Sequence, residues 1–419
     1  MSIDHSLIAP LIRGLCMNIS GVPGIAISGD GEAVPSGAFL VDLSASASAS
    51  EAGVDEAAAA RLLTEAYASW KFDHAPAGVD AVSVKKEPLG LPACVAVKFG
   101  DQTAVYWTGA DLDAARARKA ANNAAPWTSE RDSADATPGS AAKRSSVVEN
   151  RVALVTGGAQ GFGEEIVRGL AASGATVFIA DLNIEGAEKL AAELNQANGK
   201  TVAIPVASNV SDEASVEAMF RFVAETTGGL DLCVSNAGIL KAGSVLEQDL
   251  GAFKAVTDVN YTGFFIVSKH CGRLMRRQNR TAPAWKTDIV QINSKSGLEG
   301  SNKNGAYAGG KFGGIGLVAS FAMELVEYGI KVNAICPGNF FDGPLWSDPE
   351  KGLFIQYLRT GKVPGAKTVA DVKTFYEAKV PMKRGCEGKD VMRALYYIVE
   401  QEYETGQAVP VTGGQVMLH

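Results

Sequence analysis

The run Val152-Ala153-Leu154-Val155-Thr156-Gly157-Gly158-Ala159-Gln160-Gly161-Phe162-Gly163 joins five strand-forming residues to a glycine-rich turn. A helical pattern follows over 164–172, then a second apolar strand over 176–180 that ends at Asp181. Glycines in such a turn allow backbone N–H groups to approach a pyrophosphate, which then rests on the positive end of the helix. Asp181 stands 18 residues after Gly163 (181 − 163 = 18), close to the spacing of about 20 at which a carboxylate meets both hydroxyls of an adenosine ribose. A lone glycine turn would say only that the backbone needs positive φ. The order strand, turn, helix, strand, acid predicts a dinucleotide site. Asp181 repels a 2′-phosphate, and Leu182-Asn183 supplies no cation to offset it. The expected cofactor is therefore NAD rather than NADP.

Downstream, strand patterns at 201–206, 231–234, 288–293, 331–336 and 408–411 alternate with helical ones at 213–226, 250–277, 307–327 and 389–400. This alternation predicts an α/β fold, a doubly wound parallel sheet of the Rossmann type with about seven strands, over residues 151–419. Residues 1–127 read instead as a smaller α+β domain of unknown role, with strands at 24–28 and 38–43, a hairpin about Gly100-Asp101-Gln102, and helices at 51–70 and 111–123. The Ser/Ala tract at 44–50 reads as a flexible loop, and Asp73-His74 and Trp107 receive no role. Residues 128–150 are small, polar and broken by Pro138-Gly139, so a linker is expected there.

The net charge of −7 and a pI near 5.4 give no basic field to attract nucleic acid. The six cysteines and four histidines are scattered singly, without metal-ligand spacing or a disulfide framework. No metal is expected. Neither a signal segment nor a membrane-length apolar run is present, so a cytoplasmic protein without membrane contact is expected.

A second stretch carries reactive groups. Ser294 ends the 288–293 strand, and Tyr307 and Lys311 lie four residues apart, on one face of a helix. A hydroxyl, a phenol and an ammonium that converge suit proton transfer to an alcohol oxygen, the cation drawing the phenol's pKa down from about 10. An isolated Tyr-x-x-x-Lys is an ordinary surface pair, so the surrounding motifs decide its meaning.

Over 151–419 those motifs resemble the short-chain dehydrogenase/reductase family: Thr156-Gly157-x-x-x-Gly161-x-Gly163, Ser235-Asn236-Ala237-Gly238, and Asn260, Ser294, Tyr307 and Lys311 at the family's tetrad positions. The resemblance implies that Tyr307 exchanges the substrate's hydroxyl proton and that Lys311 binds the nicotinamide ribose. Ser294 would hold the substrate oxygen, and Asn260 would position a water. It also implies cofactor contacts from Gly157, Gln160, Gly161, Phe162, Gly163, Asp181, Asn209, Val210, Asn236, Ala237, Gly238, Tyr307, Lys311, Pro337 and Gly338. Asn209 departs from the aspartate common in relatives, and Asp342 from the expected threonine. The runs 291–297, 310–314, 380–386 and 405–417 further resemble the branch that interconverts sorbitol 6-phosphate and fructose 6-phosphate with NAD. A small-molecule sugar-phosphate substrate is implied, with Lys295, Lys241 and also Lys303 as candidate phosphate ligands. Residues 339–388, with Phe340, Phe341 and Trp346, are expected to cover the site. A homodimer or homotetramer is implied, through the helices near 260 and 315. Two other readings stay open: a dehydrogenase for another carbonyl or alcohol, such as a 3-oxoacyl thioester or an unphosphorylated polyol, and a non-catalytic nicotinamide-binding sensor or scaffold.

Overall fold

The structure, a computed structural model, describes residues 4–20, 24–29, 33–36, 38–46, 55–73, 91–99, 101–124, 144–350, 352–359, 361 and 363–417. Two sheets organise them. In the first, β1 (Ile25–Gly29), β2 (Phe39–Asp42), β3 (Cys94–Phe99) and β4 (Gln102–Gly109) are ordered β1-β4-β3-β2, with β2 and β3 parallel and the other pairs antiparallel. The second contains β5 (Val152–Thr156), β6 (Thr176–Asp181), β7 (Ala203–Ala207), β8 (Leu232–Ser235), β9 (Thr287–Ile292), β10 (Ile330–Pro337) and β11 (Ala408–Val411). Its order is β11-β10-β9-β8-β5-β6-β7 and every pairing is parallel.

Side-chain alternation along these strands builds a core on each face. Val152 and Leu154 pack under the helices Glu213–Thr227, Gly263–Arg280 and Gly305–Leu325. Ala153 and Val155 pack under Gly161–Ala172, Ile184–Asn198 and Gly388–Glu400. The strand order reverses between β5 and β8, and there the connections leave for opposite faces. That divergence opens a crevice at the strands' carboxyl ends.

The helical pattern expected at 250–277 is interrupted. Leu250–Thr257 and Gly263–Arg280 are α-helical, but Asp258–Thr262 between them is a π-helical turn. The helices His5–Ser20 and Ile184–Asn198 were not among the expected elements, nor were Pro344–Ser347, Leu353–Arg359 and Val369–Ala378 in the segment after β10. In the Ser/Ala tract, Ser44–Ser46 is a 3-10 turn with Ser46 buried, an ordered element where a flexible loop was expected; the remainder lies outside the described residues. His74 also lies outside them, and Trp107 is fully buried. Of the stretch read as a linker, 128–143 lies outside the described residues. Arg144–Val148 is a 3-10 turn that contributes Val148 to the core, so the described end of that stretch is packed.

The first sheet shares its core with the second: Ile25, Ile27 and Trp107 join Val216, Phe220 and Leu274 in one cluster. The helix His5–Ser20 crosses so close that a Cβ at Gly14 would lie 2.0 Å from the Gln278 carbonyl oxygen. The residue before it, Arg13, is fully buried and pairs through both terminal nitrogens with Asp231, at 3.1 and 2.7 Å. Its remaining donors reach the Gly24 carbonyl and Gln278 Oε1, each at 2.6 Å. Asp231 also accepts from the Val152 backbone at 2.8 Å and from Trp285 at 3.2 Å. Burial alone would raise the Asp231 pKa, but the Arg13 guanidinium, aided by Arg151 and the Val152 N–H, holds the carboxyl below its ordinary range. At the rim, Glu56 binds Arg277 at 2.6 Å. Removing one partner of a dry, fully bonded pair strands the other, at a cost of roughly 3–5 kcal/mol. Arg13→Ala is therefore expected to lower the stability read from urea unfolding by an amount of that order, as a fall in midpoint at unchanged slope. An unaltered midpoint would show that Asp231 finds other partners.

Candidate active site

The turn after β5 is built for close approach. Gly157 and Gly161 adopt φ of 63° and 60°, and a Cβ at Gly163 would lie 1.9 Å from the Gly157 carbonyl oxygen. The neighbouring strand end locks this turn. Asn236 Nδ2 donates to the carbonyls of Thr156 and Gly157, both at 3.0 Å, while Thr156 Oγ1 accepts the backbone N–H groups of Asn236 and Ala237 at 3.0 and 3.1 Å. Thr156 thus joins both halves of the crevice, a role its place in the motif did not reveal. Asp181 accepts from the Ala159 and Asn183 backbones, at 2.9 Å each, which sets its carboxylate against the turn. A cradle that any Cβ would fill, a helix N-terminus and an adjacent carboxylate together fit a dinucleotide. Asn209 is exposed and caps its own turn through Ser211, whereas Val210 is buried against Gly263.

Beside the turn lies a cleft of about 580 Å³. Gln160, Phe162, Asn236, Gly238, Ser294, Tyr307, Lys311, Pro337 and Gly338 line it, together with Ile239, Leu240, Ile292, Asn293, Pro344, Leu345 and Asp348. Ser294, Tyr307 and Lys311 come together because the helix Gly305–Leu325 sits unusually close to its neighbours. A Cβ at Gly313 would lie 2.7 Å from the Tyr261 ring, and one at Gly314 would lie 2.6 Å from Gln291 Nε2. Asn293 completes the joint, donating to Gln291 Oε1 at 2.7 Å and to the Lys311 carbonyl at 2.9 Å. The visible signal for this joint was Gly313-Gly314 inside a helix, where each glycine costs up to about 1 kcal/mol unless packing requires it.

Lys311 is buried, and its Nζ donates to the Ile292 carbonyl at 2.8 Å while standing 5.6 Å from the centroid of the Tyr307 ring. Burial lowers its pKa to about 8. Burial likewise pushes the Tyr307 phenol above its ordinary value, and the Ser294 hydroxyl opposes that shift without reversing it. The expected depression of the phenol by Lys311 is thus not what this geometry gives, because desolvation dominates both groups. Asn260, in the π-helical turn, spends its side chain on Ile239, accepting from the backbone N–H at 2.8 Å and donating to the carbonyl at 2.9 Å. Its amide therefore fixes the loop after Gly238.

None of Lys241, Lys295 and Lys303 is among the residues lining the cleft. Lys295 is half-buried and the other two are exposed; Lys303, at φ 55°, borders an adjoining groove with Gly243 and Gln248. From the segment after β10, Phe340 stacks on Phe162 at 4.4 Å. Phe341 and Trp346 instead belong to a small core with Phe354, Val372 and Val380. Asp342 is exposed and binds Lys373 at 2.6 Å. Among the described residues, no three His, Cys, Asp or Glu side chains group as a metal site, and no helix is long and apolar enough to cross a membrane.

Comparison with known proteins agrees with this architecture. The family model for short chain dehydrogenase matches residues 151–346. Sorbitol-6-phosphate 2-dehydrogenase of Escherichia coli (strain K12) is 39% identical over 271 residues, which cover 64% of this chain and 99% of that enzyme. The chain belongs to the short-chain dehydrogenase/reductase family, whose members use NAD or NADP. Among solved structures, sorbitol-6-phosphate 2-dehydrogenase from Erwinia amylovora is 40% identical, with a TM-score of 0.58, covering 64% of this chain and all of that one (100%). Trans-4-hydroxycyclohexanecarboxylate dehydrogenase of Sinomonas cyclohexanicum is 32% identical over 277 residues, covering 64% of this chain and 93% of that enzyme.

Two variants probe the geometry. Gly163→Ala forces its methyl into the Gly157 carbonyl, so NADH binding followed by fluorescence is expected to weaken by a hundredfold or more, equivalent to about 3 kcal/mol. Lys311 carries a folded-state pKa below its unfolded value of about 10.4, a penalty present below pH 8 and relieved as pH rises between the two values. Lys311→Met removes this penalty and one hydrogen bond. Its Tm at pH 7 is expected to be no lower than that of the unaltered protein; a fall of several degrees would contradict the assignment.

Proposed function

We propose that the chain is an NAD-dependent dehydrogenase that interconverts a polyol phosphate and a ketose phosphate, sorbitol 6-phosphate and fructose 6-phosphate being the expected pair. The supporting observation is that identity near 40% runs through the full length of two sorbitol-6-phosphate 2-dehydrogenases, on a cleft that holds Ser294, Tyr307 and Lys311 together. Asp181, with Leu182-Asn183 beyond it, favours an unphosphorylated adenosine ribose. When bound, the nicotinamide supplies or accepts the hydride. Tyr307 gives its phenolic proton to the carbonyl oxygen during reduction and takes it back during oxidation. Ser294 hydrogen-bonds that oxygen, Lys311 holds the nicotinamide ribose, and Asn260 keeps the adjoining loop in register beside the proton path. Gly157, Gly161 and Gly163 admit the pyrophosphate, and Pro337 and Gly338 border the nicotinamide.

A second reading, an unphosphorylated polyol, is favoured by the absence of Lys241, Lys295 and Lys303 from the lining of the cleft. We assign no chemistry to residues 1–127. Exposed apolar side chains at Leu250, Phe253, Phe265, Phe312 and Met323, on the helices near 260 and 315, support assembly of the chain as a homodimer or homotetramer. Six buried, free cysteines support a reducing, cytoplasmic setting.

The decisive assay is NAD reduction with sorbitol 6-phosphate, sorbitol and mannitol 1-phosphate side by side. Equal efficiency with free sorbitol removes the phosphate assignment, and no turnover with any polyol removes the whole reading. Tyr307→Phe is expected to cut kcat by about a thousandfold, within the range for a lost proton donor, while leaving NADH binding intact. Because burial raises the phenol pKa, oxidation is expected to accelerate as pH rises from neutrality. Reduction is expected to decline above about pH 8, as Lys311 loses its proton.

A further inference from the structure

The helix Glu56–Asp73 of the first unit lies against the carboxyl-terminal end of the helix Gly263–Arg280, and a cavity of about 580 Å³ is left between them. Three guanidiniums converge there on one carboxylate. Glu56 meets Arg277 Nε at 2.6 Å, and Arg276 Nη2 and Arg280 Nε at 3.5 Å each. Of the three, Arg277 makes the short hydrogen bond. Arg276 is turned over the Tyr328 ring, 5.7 Å from its centroid, and its Nε is buried without a hydrogen-bond partner among the described residues. Arg276 and Arg280 line the cavity from one helix and Arg61 lines it from the other. At 35% and 34% exposure, the Arg276 and Arg280 side chains stay within reach of a solute.

The positive charge exceeds what surrounds it. Glu56 offsets one of the three guanidiniums, and the negative end of the helix offsets about half of another. Two further carboxylates border the cavity, but Glu65 is paired with Arg61 at 3.9 Å and Glu327 is engaged by the Tyr328 hydroxyl. A guanidinium presents a planar fork of donors that matches phosphate oxygens. Thr64 adds a hydroxyl, while Ala57, Ala60 and Pro283 offer an apolar wall to the organic part of an ester. The volume is that of a small-molecule site. Asn279, which also borders the cavity, donates to Thr287 at the amino end of β9, so the cavity lies at the end of the sheet opposite the cleft.

We propose that this cavity binds a phosphate monoester, with its phosphate held by Arg276, Arg280 and Arg61, as an effector site separate from the cleft. Arg61 belongs to the first unit and the other two arginines to the dehydrogenase, so the occupant ties the two together.

The probes are inorganic phosphate and glucose 1-phosphate, titrated calorimetrically into the full chain. NADH is kept saturating so that the glycine turn is filled, and sodium chloride at matched ionic strength is the reference. Both probes are expected to bind, the ester more tightly, and to raise Tm. Arg280→Gln is expected to weaken both on the order of tenfold, as the loss of one charge-assisted contact does. Arg61→Gln is expected to weaken them likewise; that side chain is 68% exposed, so this variant decides should Arg280→Gln melt early. Arg393→Gln removes the same charge from the helix Gly388–Glu400 and is expected to change neither affinity. No binding to the unaltered chain, full affinity in Arg61→Gln, or an equal loss in Arg393→Gln overturns the proposal. None of these readouts depends on which alcohol the dehydrogenase oxidises.

Discussion

The closeness of the helix Gly305–Leu325 to the end of β9 and to the π-helical turn is the constraint on which the cleft depends. Glycines at 313 and 314 bring the helix against Tyr261 and Gln291, and Asn293 ties the Lys311 carbonyl to the strand. Any larger residue would move the helix outward and carry Tyr307 and Lys311 away from Ser294. The same closeness dries the site, which is why the phenol rises and the ammonium falls in pKa rather than one depressing the other. Burial here is the cost of convergence.

Much of the fold was legible because its signals are local. Five strand-forming residues before a glycine turn, and an acid at the end of the next strand, specify a parallel unit whose repetition gives the seven strands observed. The residues Ser294, Tyr307 and Lys311 were legible by spacing, and the structure brings them to one cleft. Less legible were features that depend on a distant partner. The π-helical turn at Asn260 reads as continuous helix in sequence, because what interrupts it is the grip of its amide on Ile239, 21 residues away. Thr156 looked like the last residue of a strand, and its bonds to Asn236 and Ala237 join residues 80 and 81 positions apart.

The lysines illustrate the opposite limit. Proximity in sequence to Ser294 or to the turn at Gly238 suggested phosphate ligands, yet Lys295 opens a 3-10 turn that leaves the strand direction, and Lys241 and Lys303 sit on exposed loops, so none of the three lines the cleft. The aromatic residues after β10 divide along similar lines. Phe340 stacks on the dinucleotide turn, whereas Phe341 and Trp346 face inward and build a small core of their own. Composition marked the segment as a cover for the site. Only the alternation of its contacts distinguishes the residues that form its scaffold from the few that reach the cleft.

Asp231 and Asn236 bracket β8, one at its amino end and the other at its carboxyl end. The first binds Arg13 from the N-terminal helix, and the second binds the glycine turn. Five residue steps of extended chain separate them (236 − 231 = 5), about 17 Å at the usual rise per residue. Arg13 and Asp231 carry opposite charges 2.7 Å apart, so at that span their fields largely cancel. The appended sheet is therefore mechanically coupled to the reacting groups but electrostatically remote from them. Sequence drift in the first unit is thus free to retune the rigidity of the catalytic sheet without disturbing the charges that perform the chemistry.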